Sequence, residues 1–505
     1  MTRPSPIHLV GKVIPTKTSV PPKGSDPFLI TTSNGYLPSR PPLRRLPPAF
    51  DSLSNLLDNI PILKQDGSPG LLASFGLGPF IDSGGLPDLI SEIDNLVLED
   101  GTIDMPAITA AFRDYSFVAS SYLLEPCWEK YSQNPAHGYG LGRQVLPRCI
   151  AGPLVKCGAI LDIPPFMSYA ASYALYNYYL EDPTKGHHDY SNLRLIRAFE
   201  HGLDPKSSEA GFILTHIHMV AQTGDLIRGS AEVIEAVSLA RSMMPDETTT
   251  SEAKQKATTA LHLILKSMTL IEANMEKMWT HSLPKDYMSY RTFIYGITSQ
   301  SMFPSGVVYE GQFDNVPQAF RGESGANDSI IPLLDHLCEI PMPENPLTQI
   351  LREFREYRPR PHREFLKLIR ESSERLGTRE FLTSDIGLAV LYIRVLDHVR
   401  SFRWRHWQFT REYIIKRTSH PVATGGSPII TWLPNQLGAV MQLMDDVART
   451  SGLWDVIRGG KQKDGKKSAL DGAELAVVRD IMENAVSQKE KLEKEVAKYC
   501  QDRGV

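Results

Sequence analysis

Between Asp385 and Arg417 apolar residues recur every seven positions, and that recurrence restricts this part of the chain to one long helix with a buried face. Leu388, Val395, Phe402 and Phe409 form one row; Tyr392, Val399, His406 and Tyr413 form the row beside it. Residues seven apart lie two turns up the same side of an α-helix, so both rows point at one core. His406 interrupts the pattern. An imidazole among apolar neighbours must find a partner in a dry place, because an unpaired buried polar group is costly. The ordinary partner is a backbone carbonyl or a carboxylate. The other partner is a metal.

Haem iron is a common reason to hold a neutral imidazole inside a helical protein. The neighbours of His406 suit that reading. Arg403 lies one turn back on nearly the same side, with Arg400 and Arg405 close by. A guanidinium binds carboxylates bidentately, and haem carries two propionates.

The chain has 505 residues, enough for more than one domain and a large core. Its net charge of −4 provides no bulk polycation to bind nucleic acid or an acidic membrane. The run SFRWRHWQF mixes aromatic and basic residues, as a base-stacking surface does, but its helical stripe and the acidic balance make nucleic acid a minor option. No apolar stretch is long enough to span a bilayer, and MTRPSPIHLVGKVIPTK lacks the apolar core of a secretory signal. The five cysteines are scattered, with no CxxC pair, as in a cytoplasmic protein with reduced thiols.

Residues 1–50 hold 11 of the 37 prolines, so they predict an extended arm laid over the body. Helical periodicity begins at Asp51. A small, mostly helical domain is expected over 51–203 and a larger helical one over 204–505. The spacing predicts a short β segment near Gln144–Leu146, a buried helix over Ile163–Leu180 and a polar surface linker over Asp182–Asp204. Helices are expected from Ser208, from Ser251 to Trp279, at Ser329–Cys338, Leu347–Tyr357 and His362–Leu376, and from Ala469 to Lys498. A long Gly-rich connector lies between Phe303 and Asn327, and long loops inside compact domains often carry function. GGKQKDGKKS at 459–468 reads as a surface loop. The fold class is mostly α.

His216 and His218 form an HxH pair. On a helix two residues diverge by about 200°, so they do not share a metal. His216 lies with Phe212, Met219 and Val220 on one face, where a satisfied core histidine is the plain reading. If His406 holds haem, His216 becomes a candidate for the other side of the iron. There is no GxxxxGK[ST] phosphate loop and no GxSxG elbow.

Seven ordered motifs over roughly 144–440 resemble the indoleamine 2,3-dioxygenase family: QVLPRCIAGPLVKCGAILDIPPFMSYAASYAL, GFILTHIHM, YRTFIYG with GVVYEG, GESGANDSIIPLLDHL, YRPRPHREFLKLI, RWRHWQFTREYI and ATGGS. The resemblance implies a two-domain helical protein that binds haem b (ferrous iron protoporphyrin IX). The implied reaction inserts O2 across the indole C2–C3 bond of L-tryptophan to give N-formylkynurenine. From its thiols, charge and hydropathy the chain is expected to be cytoplasmic and to bind no nucleic acid and no membrane, and it is expected to act as a monomer. His406 would be the proximal iron ligand, with Arg403, supported by Asp335, beside a propionate. Ser324 and Gly325 would stand over the haem. Arg291 would bind the substrate carboxylate, and Thr424 with Gly425 would lie near the ammonium. Tyr169, Ser172, Tyr173, Phe212 and Ile213 would line the indole pocket. The family often places serine where this chain has His216, whereas the related tryptophan 2,3-dioxygenases use a distal histidine; His216 would then accept a bond from the indole N–H. Before Arg291 the usual aromatic pair reads Asp286–Tyr287. These departures leave two other readings open: a haem oxygenase acting on another indole, and a haem-binding module without turnover.

Overall fold

The computed structural model describes residues 22–202, 204–242, 246–344, 346–418, 420, 422–427, 433–458 and 472–503. Its longer helices are α1 (Asp51–Asn59), α2 (Met105–Gln133), α3 (Arg148–Leu161), α4 (Ser208–Val220), α5 (Thr223–Ala240) and α6 (Glu247–Glu276). There follow the short α7 (Tyr287–Arg291), then α8 (Ile330–Leu337), α9 (Arg360–Leu376), α10 (Ile386–Phe409), α11 (Leu433–Thr450) and α12 (Gly472–Arg503). Strands are minor. β1 (Val145–Leu146) expected from the sequence is present, and β2 (Tyr178–Leu180), β3 (Leu193–Leu195) and β4 (Val308–Tyr309) join it. β1 pairs with β4 in parallel and β2 with β3 antiparallel. The chain is mostly α.

Capping fixes where the key helices begin. The Asp385 carboxylate accepts from the amides of Gly387 and Leu388 at 2.9 and 3.2 Å, which starts α10 and sets the rotation of everything after it. The Ser207 hydroxyl accepts from Ala210 N at 3.1 Å and does the same for α4. Helix α10 packs against α6 on one side and α11 on another, and α6 packs along α5. A π-helical turn, Thr410–Ile415, continues α10, so the expected helical run to about Arg417 holds with a wider last turn.

Helix α2 is covered on nearly every side, and its middle carries buried charge. The Asp114 carboxylate accepts from Arg113 Nε at 2.9 Å and from Arg197 Nε and Nη2 at 3.0 Å each. Arg113 Nη1 donates to the carbonyls of Leu43 and Tyr176, tying arm, helix and the 176–197 segment together. Pro126 inside α2 removes the amide that would serve the Tyr122 carbonyl; Arg143 Nη1 donates to that carbonyl instead.

Within the described part of the arm, Phe28, Ile30, Tyr36, Leu37 and Leu46 are buried in the main core. The Tyr36 amide donates to Thr223 Oγ1 at 3.0 Å. Residues 1–21, and the basic loop within 459–471, lie outside the described residues.

Two expectations fail. Ile163–Leu180 is not a helix but a π-type turn, Tyr169–Tyr173, followed by β2. Ser168 and Ser172 explain this locally. Ser168 Oγ accepts from Ala171 N at 3.0 Å, and Ser172 Oγ accepts from Ser168 N at 2.7 Å, so side chains take bonds a helix would need. Asp182–Asp204 is not wholly a surface linker either. Its second half forms β3 and buries Leu193, Leu195 and Phe199, because Arg197 is drawn inward by Asp114.

His362 on α9 sits edge-on to Phe28 and 4.8 Å from the Tyr36 ring, holding the arm to the body. Burial, aided by Arg358, pushes its pKa down to about 3. The unfolded chain takes up this proton as pH falls below about 6.5, and the folded chain does not. Stability from this group is therefore complete above pH 6.5 and declines by about 1.4 kcal/mol per pH unit toward pH 3. His362→Phe should flatten the acid side of the stability curve by that slope. Urea unfolding at about pH 4.5 and about pH 6.5 measures it; equal slopes in both proteins would show that His362 titrates normally when folded.

Candidate functional site

The stripe on α10 is sealed at Leu388, Tyr392, Val395 and Val399 and then opens. Phe402, His406 and Phe409, successive positions on one face, all keep open surface. His406 keeps exposed surface, yet enough protein surrounds its ring that loss of solvation dominates its titration. Its side chain makes no hydrogen bond among the described residues. Burial lowers its pKa to about 4, with the His216 imidazole adding to the effect. At neutral pH it is an uncharged imidazole with a free lone pair, the form that ligates a metal.

His216 reaches the same space from α4. Its Nδ1 stands 2.8 Å from the Phe212 carbonyl. A carbonyl only accepts, so Nδ1 carries the proton and Nε2 presents a lone pair. Burial holds the imidazole below its ordinary pKa. A Cβ built on Gly325 would meet nothing closer than His216 Nε2, at 4.0 Å, so the backbone there borders open room. The ring of Tyr169 stands edge-on to His216 at 5.9 Å, and that of Phe212 at 4.8 Å. His218 points elsewhere and accepts no share of the site; its Nε2 bonds the His188 carbonyl at 3.0 Å.

A crossing of three loops fixes the floor. Gly296 N donates to the Thr424 carbonyl at 2.9 Å, and Ile297 N to the Phe320 carbonyl at 2.8 Å. A Cβ at Gly322 would stand 2.2 Å from Gly296 N and 2.6 Å from the Thr424 carbonyl, so only glycine permits the approach. Thr424 Oγ1 donates to the Glu323 carbonyl at 2.7 Å, leaving its lone pairs to accept from a ligand. Gly425 packs under Phe354, where a Cβ would come within 2.4 Å of the ring.

Arg403 is held rather than free. Its Nη2 bridges both oxygens of Asp335 at 2.8 Å, and Nη1 donates to the Gln436 carbonyl at 2.9 Å. Burial raises the Asp335 pKa and Arg403 opposes that rise. Arg400 and Arg405 turn to other partners, Asp397 with Gln488 and Glu272 with Glu276.

Arg291, from α7, is fully buried. Its Nη2 donates to the Val422 carbonyl at 3.2 Å and the guanidinium lies 4.8 Å over the Tyr295 ring. Nε and Nη1 have no partner among the described residues. A guanidinium stays charged at any physiological pH, so this is a buried cation lacking an anion. Asp286 does not supply one: its carboxylate accepts from the Ser208 hydroxyl at 2.8 Å, and Tyr287 rather than Asp286 packs toward Phe212, at 5.7 Å.

The remaining expected residues divide. Tyr169 hydrogen-bonds Asp328 at 3.3 Å and borders His216. Ser172 and Tyr173 are nearby in sequence but turned to the interior: the Ser172 hydroxyl donates to the Ser168 carbonyl at 2.8 Å, and Tyr173 packs on Phe117 with its hydroxyl toward Glu209. Ile213 is wholly buried beside Phe212. Ser324 Oγ caps its own turn through Ala326 N at 3.2 Å. Sequence reading passed over Glu323, which lies inside the quoted GESGAN motif, and the Tyr139–Tyr295–His420 group around Arg291. An acidic residue among small loop residues was the available signal for the first.

An uncharged imidazole on a helical wall with no hydrogen-bond partner among the described residues, a second imidazole within electrostatic reach and a loop trimmed to glycine and serine suit a flat iron-bearing ring such as haem. The class so defined is a helical haem-site protein. The family model "Indoleamine 2,3-dioxygenase" matches residues 25–438, and the chain belongs to that family. It is therefore a haem-dependent dioxygenase, an oxidoreductase of the class that acts on an indole with O2. It is 25% identical to indoleamine 2,3-dioxygenase of Saccharomyces cerevisiae over 77% of this chain and 79% of that protein. Similarity to indoleamine 2,3-dioxygenase 1 of Mus musculus is 27% identity over 69% of this chain and 79% of the other. Indoleamine 2,3-dioxygenase nanC of Aspergillus nanangensis is 24% identical over 80% of this chain and 93% of its own length. No described helix is long and apolar enough to cross a membrane.

His406→Ala should abolish stable haem uptake while leaving the helical fold intact, since the side chain makes no structural hydrogen bond. Hemin titration followed by absorbance, beside far-ultraviolet circular dichroism, checks this; an unchanged Soret band and unchanged hemin affinity would remove His406 from the site.

Proposed function

We propose that this chain oxidises L-tryptophan to N-formylkynurenine, the step that opens tryptophan catabolism toward kynurenine, using haem b held by His406. The observation that carries the proposal is the uncharged His406 imidazole, partnerless and facing the room that His216 also faces. When bound, haem supplies the activation of O2, which protein side chains cannot perform. The overall change cleaves indole C2–C3 and gives each carbon one oxygen atom.

The chain's own residues do the rest. His406 would hold the iron of the haem through its uncharged imidazole. Asp335 fixes Arg403, whose place one turn from His406 suits a propionate. Ser324 and Gly325 keep the facing loop thin enough to admit a flat group. Phe212, Tyr169 and Tyr287 give the indole apolar and edge-on aromatic surface, with Ile213, Ser172 and Tyr173 behind them. The Nε2 lone pair of His216 accepts the indole N–H, a role its tautomer permits because Nδ1–H is committed to Phe212. Arg291 binds the substrate carboxylate, which relieves a buried cation without a partner. Thr424 accepts from the ammonium. The free thiols of Cys127, Cys149, Cys157 and Cys338 favour a cytoplasmic enzyme, and we take it to act as a monomer. A polar His216 among the aromatic residues also favours a second reading, in which a substituted indole is the better substrate.

Hemin-reconstituted protein should form N-formylkynurenine from L-tryptophan under O2 and a reductant, and chromatography with mass detection of the product tests it. No product from tryptophan, with turnover of another indole, would select the second reading. Arg291→Ala should raise KM for L-tryptophan by about 100-fold with a smaller change in kcat, as loss of a charged hydrogen bond made equally in ground and transition states requires. An unaltered KM would assign Arg291 to the fold alone.

A further inference from the structure

Glu323 is buried, and it is unusual among the buried acids of this chain. Asp114 is matched by Arg113 and Arg197, Asp335 by Arg403, and Glu209 by the amides of Phe199 and Glu200. The Glu323 carboxyl has neither a cation nor a hydrogen-bond donor among the described residues. With 3% of its surface accessible, the residue is shut off from bulk solvent. The side chain therefore faces the interior. Its backbone is held there by the Gly296–Gly322–Thr424 crossing and by the Thr424 hydroxyl on its own carbonyl, so the position is not a matter of loop drift.

The surroundings identify that space. The Glu323 carboxyl lies within electrostatic reach of the Tyr169, Tyr173 and Tyr287 hydroxyls. Tyr169 borders His216, Tyr287 borders Phe212, and the next residues along the loop are Ser324 and Gly325. Burial alone, with no cation to offset it, pushes the Glu323 pKa up to about 8. A buried carboxylate is stable only when a cation or several donors meet it. Among the described residues none meets it.

We propose that Glu323 is a specificity-determining residue that pairs with a protonated amine on the substrate, so that the pocket selects indoles carrying a cationic nitrogen over indoles that lack one. The assignment rests on reading the pocket as an indole site. It completes a division of labour: Arg291 for the anionic end, Glu323 with the Thr424 hydroxyl for the cationic end, His216 for the ring N–H. Among these only Glu323 can take on a full negative charge, by giving up its proton as an ammonium docks, and a charged acceptor bonds an ammonium more strongly than a neutral hydroxyl does.

L-Tryptophan and indole-3-propionate differ only in the ammonium group and make the discriminating pair. Calorimetric titration of the hemin-loaded wild-type protein should show tighter binding of L-tryptophan by about 10- to 100-fold, the value of a hydrogen bond to a charged group. In Glu323→Gln, which keeps size and hydrogen-bonding capacity but loses the charge, the preference should collapse to within about 3-fold, with indole-3-propionate still bound. Glu323→Asp should retain a reduced preference of the same sign. No preference in the wild-type protein, or an undiminished one in Glu323→Gln, overturns the assignment. So does loss of both ligands from Glu323→Gln with hemin uptake intact, which would make the residue structural. A wild-type protein that takes up hemin and binds neither indole fails the functional reading itself, whereas equal binding of both fails Glu323 alone.

Discussion

A helix can turn only one side toward a given neighbour, and the site depends on where α10 is pinned. The Asp385 cap fixes its first turn, and the packing of α6 and α11 fixes its rotation. From that point the 3.6-residue period leaves no freedom: if Leu388, Val395 and Val399 are in the core, Phe402, His406 and Phe409 must face inward too. The core, however, does not close over these last three. The imidazole of His406 thus occupies the one stretch of the stripe where protein atoms leave room, and burial keeps it uncharged.

The opposite boundary is built from backbone rather than side chains. Three loops meet at Gly296, Gly322 and Thr424, so close that a single methyl would part them. This contact carries Glu323, Ser324 and Gly325 as a rigid step beside His216. The same crossing joins the segment following Arg291 to the 422–427 loop, whose carbonyl at Val422 receives the guanidinium. One junction therefore sets the positions of both Arg291 and Glu323. Family membership makes the chemistry haem-dependent dioxygenation.

Buried charge is used in two opposite ways. At Asp114 it is satisfied within the chain, binding the arm, α2 and the 176–197 segment into one body. At Arg291 and Glu323 it is left open. An unpaired buried ionisable group destabilises a fold, so such a group marks a place that a ligand would complete. The contrast is visible only because the same molecule solves the problem elsewhere.

The α10 stripe and most helices were legible in the sequence, since each follows from local periodicity or capping residues acting over a few turns. The ordered motifs also made the family legible. What local rules missed was settled by contacts between distant segments. Ile163–Leu180 looks helical by composition, yet Ser168 and Ser172 bond their own backbone and Tyr178 pairs with Leu195 across a sheet. Arg197 lies in a polar stretch and is pulled inside by an aspartate 83 residues earlier. Ser172 and Tyr173 sit in the right motif, but their hydroxyls turn to Ser168 and Glu209. Sequence alone determined which residues could serve a haem-bearing helical site, because side-chain chemistry and helical period are local properties. Tertiary structure alone decided which buried charges found partners and which did not, because pairing depends on distances between elements that no local pattern encodes.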